Sequence, residues 1–269
     1  MPQAHALTCA GRVVARYVWE PDLPAAVSPR PYLHPVTTLG GATVTGFMPT
    51  DHRHHLGASV AVPVVNDANF WGGRTYLRDR GSVHLDNHGR QRHARWLHRT
   101  GDRLAQELDW VARDGQVIAR ERRVLSTSPL TDTAWTLRFE YALSSADDRT
   151  LTLCSPAVRG RAGAGYGGFF WRAPAGPATI RAFARDGGAD VHGSREPWIA
   201  LGTDTWTLTF HTGTAGGDPW FVRSADYAGV CSAIAWDRPL VIAPGQVFTR
   251  RIAVVVADGS AAAFPGGTR

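Results

Sequence analysis

The chain has 269 residues, of which 43% are hydrophobic, and it contains 29 glycines and 17 prolines. This composition is typical of a folded, turn-rich protein, and β-rich chains of this length often form one domain. All 29 basic residues are arginines, because the sequence contains no lysine. Imine formation at a lysine, a lysine general base and the lysine of a P-loop are therefore excluded.

The formal net charge of +6 suits an anionic ligand, but the arginines are scattered and never form a run of five. The pattern therefore predicts a solvated, arginine-rich surface and no nucleic-acid partner. No window approaches 18 consecutive apolar residues, so we expect no membrane partner. Cys9, Cys154 and Cys231 are far apart in the chain and form no CxxC motif, which favours reduced thiols in a cytoplasmic protein.

Alternating apolar and polar residues predict antiparallel β-strands along most of the chain. The clearest stretch is 135–143, in which large apolar residues occupy every second position. Residues 104–112 and 116–125 flank Asp114-Gly115, a dipeptide that favours a tight hairpin. Further strands are predicted at 12–20, 58–65, 151–154, 179–184, 198–201, 205–210, 230–236 and 247–256.

These strands predict an all-β fold, a mostly antiparallel β-sandwich with a single domain over residues 12–259. Residues 1–11 and the small-residue tail 260–269 are predicted to be flexible. The proline-rich residues 30–35 are expected to form an extended segment at a sheet edge or a crossover, because proline cannot complete a central strand. The polar, arginine-rich residues that follow Gly73, up to Arg92, are expected to form a long loop or lid.

The densest group of titratable side chains is Asp51, His52, His54 and His55, within five positions. Imidazoles titrate near neutrality, so this group can bind a metal or shuttle protons. If the segment is extended, His52 and His54 share one face. The flanking proline and glycine favour a loop that leads into a strand, and a surface turn with solvated histidines is the third interpretation.

Gly46, His52 and His54 match the first half of the cupin metal motif, but its glutamate position falls on Ala58 or Ser59. Neither side chain replaces that carboxylate as a ligand. A third ligand would have to be His55, His34 or Glu121. We therefore favour no metal and no cofactor, with His52 and His54 as the ligands if a divalent metal binds.

Glu121 is the carboxylate predicted to act with the histidines. Alternation places it on the same face as Ala119 and Arg123, among cationic neighbours that favour its ionised form. A ladder of surface ion pairs would explain the same residues.

Three aromatic segments carry polar neighbours that could bind a sugar. Asn69 lies near Trp71, Trp171 precedes Arg172, and Trp220 is followed by Arg223 three positions later. An indole covers the apolar face of a pyranose while amide and guanidinium groups bind its polar substituents. Tryptophans buried in the core are the alternative at each of these positions.

Several of these segments, taken together and in order, resemble the bacterial PmoA-like family catalogued as "methane oxygenase". The similarity covers about residues 12–259, and its motifs are at 30–35, 51–55, 69–71, 167–172, 220–223 and 244–245. The oxygenase name implies an integral membrane subunit, which this chain does not match. The resemblance instead implies a mutarotase-like β-supersandwich and a role in sugar chemistry.

The leading prediction is an enzyme that acts on a carbohydrate or keto-sugar by histidine-based acid/base chemistry, as in epimerisation, elimination or deglycosylation. The predicted catalytic residues are His52, His54, His55 and Glu121, with His54 or His55 as the general acid/base. Arg172 would bind developing negative charge. The predicted substrate-binding residues are His34, Asp51, Asn69, Trp71, Trp171, Arg172, Trp220 and Arg223. A non-catalytic carbohydrate-binding module and a cupin-like, metal-dependent enzyme are the alternatives.

Overall fold

A computed structural model describes residues 2–212, 217–225 and 227–260. In chain order its strands are β1 (Gln3–Cys9), β2 (Arg12–Glu20), β3 (Tyr32–Val36), β4 (Ala58–Ala61), β5 (Val64–Val65), β6 (Thr75–Leu77), β7 (Gly81–Val83), β8 (Arg90–Arg99), β9 (Arg103–Val111), β10 (Val117–Thr131), β11 (Ala134–Ser145), β12 (Leu151–Cys154), β13 (Gly168–Arg172), β14 (Thr179–Ala182), β15 (Trp198–Gly202), β16 (Trp206–Thr212), β17 (Trp220–Arg223), β18 (Gly229–Ala233), β19 (Leu240–Ile242) and β20 (Val247–Asp258). The helical elements within these ranges are a 3-10 turn, Ala25–Val27, and a single helical turn, α1 (Gly188–Val191).

Two large antiparallel sheets form the body of the protein. One has seven strands in the order β1-β2-β3-β4-β13-β18-β17, and the other has eight in the order β14-β15-β16-β20-β11-β10-β9-β8. A three-stranded sheet, β19-β12-β5, and the hairpin β6-β7 complete the described part of the chain. The prediction of an all-β, mostly antiparallel sandwich is therefore confirmed.

The main hydrophobic core lies between the two large sheets. Strand β11 contributes Trp135, Leu137, Phe139 and Tyr141, all at most 1% exposed, which confirms the alternation seen in the sequence. From the other sheet, alternate residues such as Trp171 join the same cluster. Because alternate side chains of a strand point to opposite faces, the remaining residues of β13, β17 and β18 lie on the outer face of the seven-stranded sheet.

The prediction of a flexible segment at 1–11 is wrong for most of its length. Strand β1 pairs with β2 from Gln3 to Cys9. Leu7 and Cys9 join the core, and the Thr8 amide donates to the Gly101 carbonyl. This burial anchors a strand whose edge position and short length gave little signal in the sequence. Of the predicted tail 260–269, all but Ser260 lies outside the described residues.

The proline-rich segment and the predicted long loop also differ from expectation. Strand β3 is an interior strand between β2 and β4, although its pairing with β4 is limited to Leu33 and Ala58. The interrupted pairing explains how Pro35 fits there. The predicted loop between Gly73 and Arg92 contains the hairpin β6-β7 and the start of β8. Strand β8 lies at a sheet edge, and its many exposed arginines obscure the apolar alternation that would predict a strand.

No helix in the described ranges is long and apolar enough to cross a membrane.

Candidate functional site

The site lies on the outer face of the seven-stranded sheet, opposite the core. On β13, Phe169 and Trp171 point into the core, whereas Phe170 belongs to a separate cluster on the outer face. Phe221 of β17 and Cys231 of β18 join Phe170 in that cluster. The outer face of these three strands thus forms an apolar floor.

The histidine segment folds over one end of this floor as a loop. Its amides make turn bonds, from His52 to the Pro49 carbonyl at 3.0 Å and from His55 to the His52 carbonyl at 2.9 Å. Phe47 and Leu56 form a β-bridge that closes the loop. The loop interpretation is confirmed, and the extended interpretation, with His52 and His54 on one strand face, is wrong.

A buried arginine holds this loop against the neighbouring segment. Arg30 is 1% exposed, and its guanidinium donates to the carbonyls of His54 at 2.7 Å and Trp71 at 3.1 Å. Burial, and secondarily the charge of Arg123, lowers the pKa of Arg30 to about 9, so it is cationic at neutral pH. The loop and Trp71 are therefore positioned by one cation beneath them.

Asp51 and His52 form a hydrogen-bonded pair at the rim of the site. The Nδ1 atom of His52 lies 2.8 Å from the Asp51 carboxylate. This bond lowers the pKa of Asp51, so the carboxylate is ionised at neutral pH and accepts the bond. The proton of a neutral His52 then sits on Nδ1, which leaves Nε2 with a lone pair that can take a proton. Both residues remain accessible to solvent, with 62% of the Asp51 side chain exposed.

His54 and His55 lie deeper and are neutral. Burial, followed by the charge of Arg30, lowers the pKa of His54 to about 3. Burial, followed by the neighbouring histidines, lowers the pKa of His55 still further. Arg172 donates from Nη1 to Nδ1 of His55 at 3.3 Å, so the His55 proton is on Nε2.

Aromatic rings surround this group. The Arg172 guanidinium lies 4.1 Å from the centre of the Tyr227 ring, and the same ring lies 5.4 Å from the ring of His52. Trp71 contacts Tyr166 and Phe170, with centroid distances of 4.6 and 5.0 Å. Trp71 is only 4% exposed, so it supports the partly exposed Tyr166 from below.

The other end of the site contains Arg223. Its guanidinium lies 4.3 Å from the centre of the Phe221 ring and 3.4 Å from Nδ1 of His192. His192 also contacts Phe221 and Trp236 through its ring. Arg223 lies on the same face of the sheet as Arg172, because both are in register with Gly229.

Glu121 is not part of this site, contrary to the prediction. Its side chain is fully buried, and its oxygens accept from Arg123 at 2.6 Å and from the Trp110 indole at 2.9 Å. The predicted face was right, since Ala119, Glu121 and Arg123 are all buried. That face is the one that packs between the sheets, so neither the catalytic interpretation nor the surface ion-pair ladder holds.

Three of the predicted substrate-binding residues have structural partners instead. The Asn69 side-chain oxygen accepts from the amides of Trp71 and Gly72, both at 2.8 Å, which makes a turn. The indoles of Trp171 and Trp220 are buried in the core and donate to the carbonyls of Val44 and Glu196. These positions follow from strand alternation, which sends Arg172 and Arg223 outward and sends Trp171 and Trp220 inward.

His34 lies on β3 beside the start of the histidine loop. Its Nδ1 atom is 2.9 Å from the Thr45 hydroxyl, and its ring stacks on Phe47 at 5.0 Å. The rings of His52 and His54 are 5.8 Å apart, and within the described ranges no three His, Cys, Asp or Glu side chains converge as a metal-binding group. The candidate third ligands are thus engaged elsewhere: Glu121 in the core, His34 with Thr45, and His55 with Arg172.

Several residues of the site were not predicted, namely Arg30, Tyr166, Phe170, His192, Phe221 and Tyr227. Phe170 and Phe221 could have been identified, because each lies two positions before a predicted arginine, Arg172 or Arg223, and therefore on the same strand face. Arg30, Tyr166 and Tyr227 reach the site through long-range pairing, for which the local sequence carries no signal.

Solved structures with a similar fold point to one structural class. A candidate aldose 1-epimerase from Escherichia coli K12 matches with a TM-score of 0.51 and 11% identity, covering 96% of this chain and 100% of the other. A galactose mutarotase related enzyme from Lactobacillus acidophilus matches with a TM-score of 0.52 and 12% identity, covering 96% and 98%. The fold is therefore a mutarotase-like β-supersandwich.

The chain itself belongs to DUF6807, a family of unknown function, whose model matches residues 4–264. No curated protein gives a significant match to the sequence.

Proposed function

We propose that this protein is a carbohydrate-active enzyme that transfers a proton at a sugar or keto-sugar. His52 is the general acid/base, Asp51 orients its imidazole, and Arg172 stabilises negative charge on the reacting oxygen. The observation that carries this proposal is the 2.8 Å bond between the Asp51 carboxylate and Nδ1 of His52, which leaves Nε2 at the rim of an aromatic site.

His52 is preferred over His54 and His55, the first choices from the sequence. The pKa of His54 is lowered to about 3 by burial, and that of His55 is lowered further. An imidazole with so low a pKa binds a proton weakly at neutral pH and makes a poor general base. His54 and His55 instead act as neutral hydrogen-bonding and packing groups beside His52.

The rings beside His52 support a sugar as the substrate. Tyr227 and Tyr166 are partly exposed, and the Tyr227 ring lies beside both His52 and Arg172. A pyranose bound on this ring would present its polar edge to the imidazole and the guanidinium. The mutarotase-like fold is compatible with this chemistry, although a fold alone does not determine function.

A non-catalytic carbohydrate-binding module is the second candidate. The same aromatic rings and arginines would bind a sugar without any proton transfer. The two candidates differ at the Asp51-His52 pair, which an enzyme requires and a binding module does not.

Proton transfer is tested by nuclear magnetic resonance with free aldoses and keto-glycosides in deuterated water. The enzyme should accelerate anomer interconversion, or deuterium incorporation beside a carbonyl. His52→Gln should lower that rate by about 10²–10⁴-fold, because it removes the acid/base group. Asp51→Asn should lower it less, because the imidazole remains but loses its orienting carboxylate.

The exposed His98 provides a matched control, and His98→Gln should retain the full rate. Sugar binding without any catalysed exchange would assign the binding module. Full activity in His52→Gln, combined with its loss in His54→Gln, would return the catalytic role to His54.

Three predictions from the sequence remain predictions. These are the PmoA-like relationship, the cytoplasmic location and the absence of a required metal. The described cysteines are unpaired thiols, which is compatible with a reducing compartment.

A further inference from the structure

Arg172 and Arg223 stand on the same face of the seven-stranded sheet with Gly229 between them. Arg172 is in register with Gly229 across β13 and β18, and Arg223 is in register with the same glycine across β18 and β17. Two strand spacings place their α-carbons roughly 10 Å apart. Because Gly229 has no side chain, the Tyr227 ring packs over it, where a β-carbon would come within 2.9 Å of that ring.

The Arg172 guanidinium is held by neutral groups. It lies 4.1 Å from the centre of the Tyr227 ring and donates to Nδ1 of His55 at 3.3 Å. His55 is neutral, since burial lowers the pKa of its imidazole far below neutrality. Arg172 is 5% exposed, so its charge is largely removed from water.

Arg223 is supported in the same way at the other end of the site. It lies over the Phe221 ring at 4.3 Å and contacts Nδ1 of His192 at 3.4 Å. The Val222 amide donates to the same Nδ1, and Nε2 of His192 lies 2.9 Å from the Gly163 carbonyl. These bonds hold His192 as a neutral imidazole with its proton on Nε2.

Neither arginine has a carboxylate within 4.0 Å among residues 2–212, 217–225 and 227–260. Asp51 influences Arg172 electrostatically, but its carboxylate bonds to His52. Beneath the loop, the hydrogen bonds of Arg30 within the described residues likewise go to neutral oxygens. Buried or half-buried cations that have no carboxylate partner in the described ranges, as here, favour an anionic ligand.

We propose that Arg223 and Arg172 form an anion subsite and that the substrate is an acidic sugar, carrying a carboxylate or a phosphate group. The anionic group binds Arg223, the ring lies on Tyr227, and the reacting oxygen lies at Arg172 beside His52. This assignment of substrate class rests on the proposed function for the reacting end. The anion subsite itself rests on the two arginines alone.

Isothermal titration calorimetry at low ionic strength tests the subsite with three probes: D-glucuronate, D-glucose 6-phosphate and D-glucose. At least one charged sugar should bind about ten-fold or more tightly than glucose, because charge-assisted bonds to a guanidinium are the stronger ones. Preference for glucuronate assigns a carboxylate, and preference for glucose 6-phosphate assigns a phosphate. Arg223→Gln should remove this preference while glucose affinity stays within about two-fold.

Arg120→Gln, on the exposed face of β10, is the matched control and should keep the preference. Arg223→Lys retains the positive charge and should keep part of the preference for charged sugars. This variant separates the loss of a cation from a disturbed fold. Equal affinity for all three sugars, a preference unchanged in Arg223→Gln, or no binding of any probe would overturn the anion subsite.

Titration of His52→Gln separates this inference from the proposed function. A retained charge preference in His52→Gln, together with unchanged turnover, would leave the subsite standing and remove the catalytic proposal. Loss of turnover in His52→Gln, without any charge preference in the wild type, would support the catalytic proposal and remove the anion subsite.

Discussion

At the scale of single residues, the electrostatics of the site is set by Arg30, Arg172 and Arg223, which form no ion pair with a carboxylate in the described part of the chain. Arg30 holds the histidine loop and Trp71 through bonds to neutral oxygens, and its charge is the second cause, after burial, of the low pKa of His54. The Asp51 carboxylate is at the rim, bonded to His52. In the proposed function, the proton is therefore donated from the rim, and the arginines stabilise negative charge that develops on the substrate.

The low pKa values of His54 and His55 predict that stability falls in mild acid. Their folded-state pKa values lie below the ordinary value of 6.5, so the unfolded chain binds protons first as the pH falls. The stabilisation is fully present above pH 6.5 and is lost progressively below it. At pH 5 the loss is about 2 kcal/mol per histidine. Urea denaturation at pH 7.5, 6 and 5 measures the effect.

His54→Gln should flatten this pH dependence, because glutamine does not titrate. His98→Gln, which changes an exposed histidine, should leave the curve unchanged. Equal unfolding free energies at pH 7.5 and pH 5 would contradict the prediction.

At the scale of elements, tight backbone turns decide how the loop meets the sheet. Gly57 ends the histidine loop with φ +58°, and its carbonyl accepts the Arg172 amide at 2.8 Å. Another example is the hairpin between β9 and β10, where only Gly115 of the predicted Asp114-Gly115 pair has positive φ. The Ala112 amide donates a hydrogen bond to the Gln116 carbonyl. This hairpin therefore has a three-residue loop instead of the tight two-residue turn.

Gly57→Ala should destabilise the protein by roughly 2 kcal/mol or more and reduce turnover by displacing the loop. A β-carbon at Gly57 would lie 2.2 Å from the Leu33 carbonyl oxygen, in addition to the cost of a left-handed alanine. Thermal unfolding and the exchange assay measure the two effects.

Gly41→Ala separates the two causes. Gly41 has φ +92°, but no atom lies within 4 Å of its potential β-carbon. It should therefore show only the conformational cost, about 1 kcal/mol, with full activity. Equal destabilisation by both substitutions would mean that the contact with Leu33 is relieved by a small shift.

At the scale of the whole molecule, the two sheets share one hydrophobic core with a charged pair inside it. Glu121 and Arg123 are both fully buried, and Arg123 also contacts the Tyr17 hydroxyl at 3.3 Å and donates to the Gln91 side chain at 2.9 Å. Tyr17 is on the seven-stranded sheet and Glu121 is on the eight-stranded one. The pair therefore connects the sheets and lies outside the candidate site.

Glu121→Gln should lower the unfolding free energy by about 3–5 kcal/mol, because it leaves the Arg123 charge buried without its partner. Sugar affinity of the folded protein should not change. Glu140→Gln removes the carboxylate of an exposed pair with Arg251 and should cost less than about 1 kcal/mol. Denaturant titration compares them, and a Glu121→Gln protein of normal stability but without turnover would restore a catalytic role for Glu121.

The sequence by itself determined the strand content and most strand positions, and it favoured a loop for the histidine segment. These properties depend on local periodicity and on turn residues, which act over a few positions. Strand β2 and the strong alternation of β11 were readable because each has one buried face. The sequence also indicated Arg172 and Arg223 as candidate site residues, since each follows a group of aromatic residues.

Only the tertiary structure decided which face of each strand meets the core and which lies on the outer side with the candidate site. A period of two defines two faces but does not say which one is covered by the other sheet. That choice sent Trp171, Trp220 and Glu121 inward and turned Arg172 and Arg223 outward. The site also depends on pairing between distant segments, which brings Arg30 under His54. Such contacts arise from the packing of whole sheets, and no local pattern in the chain encodes them.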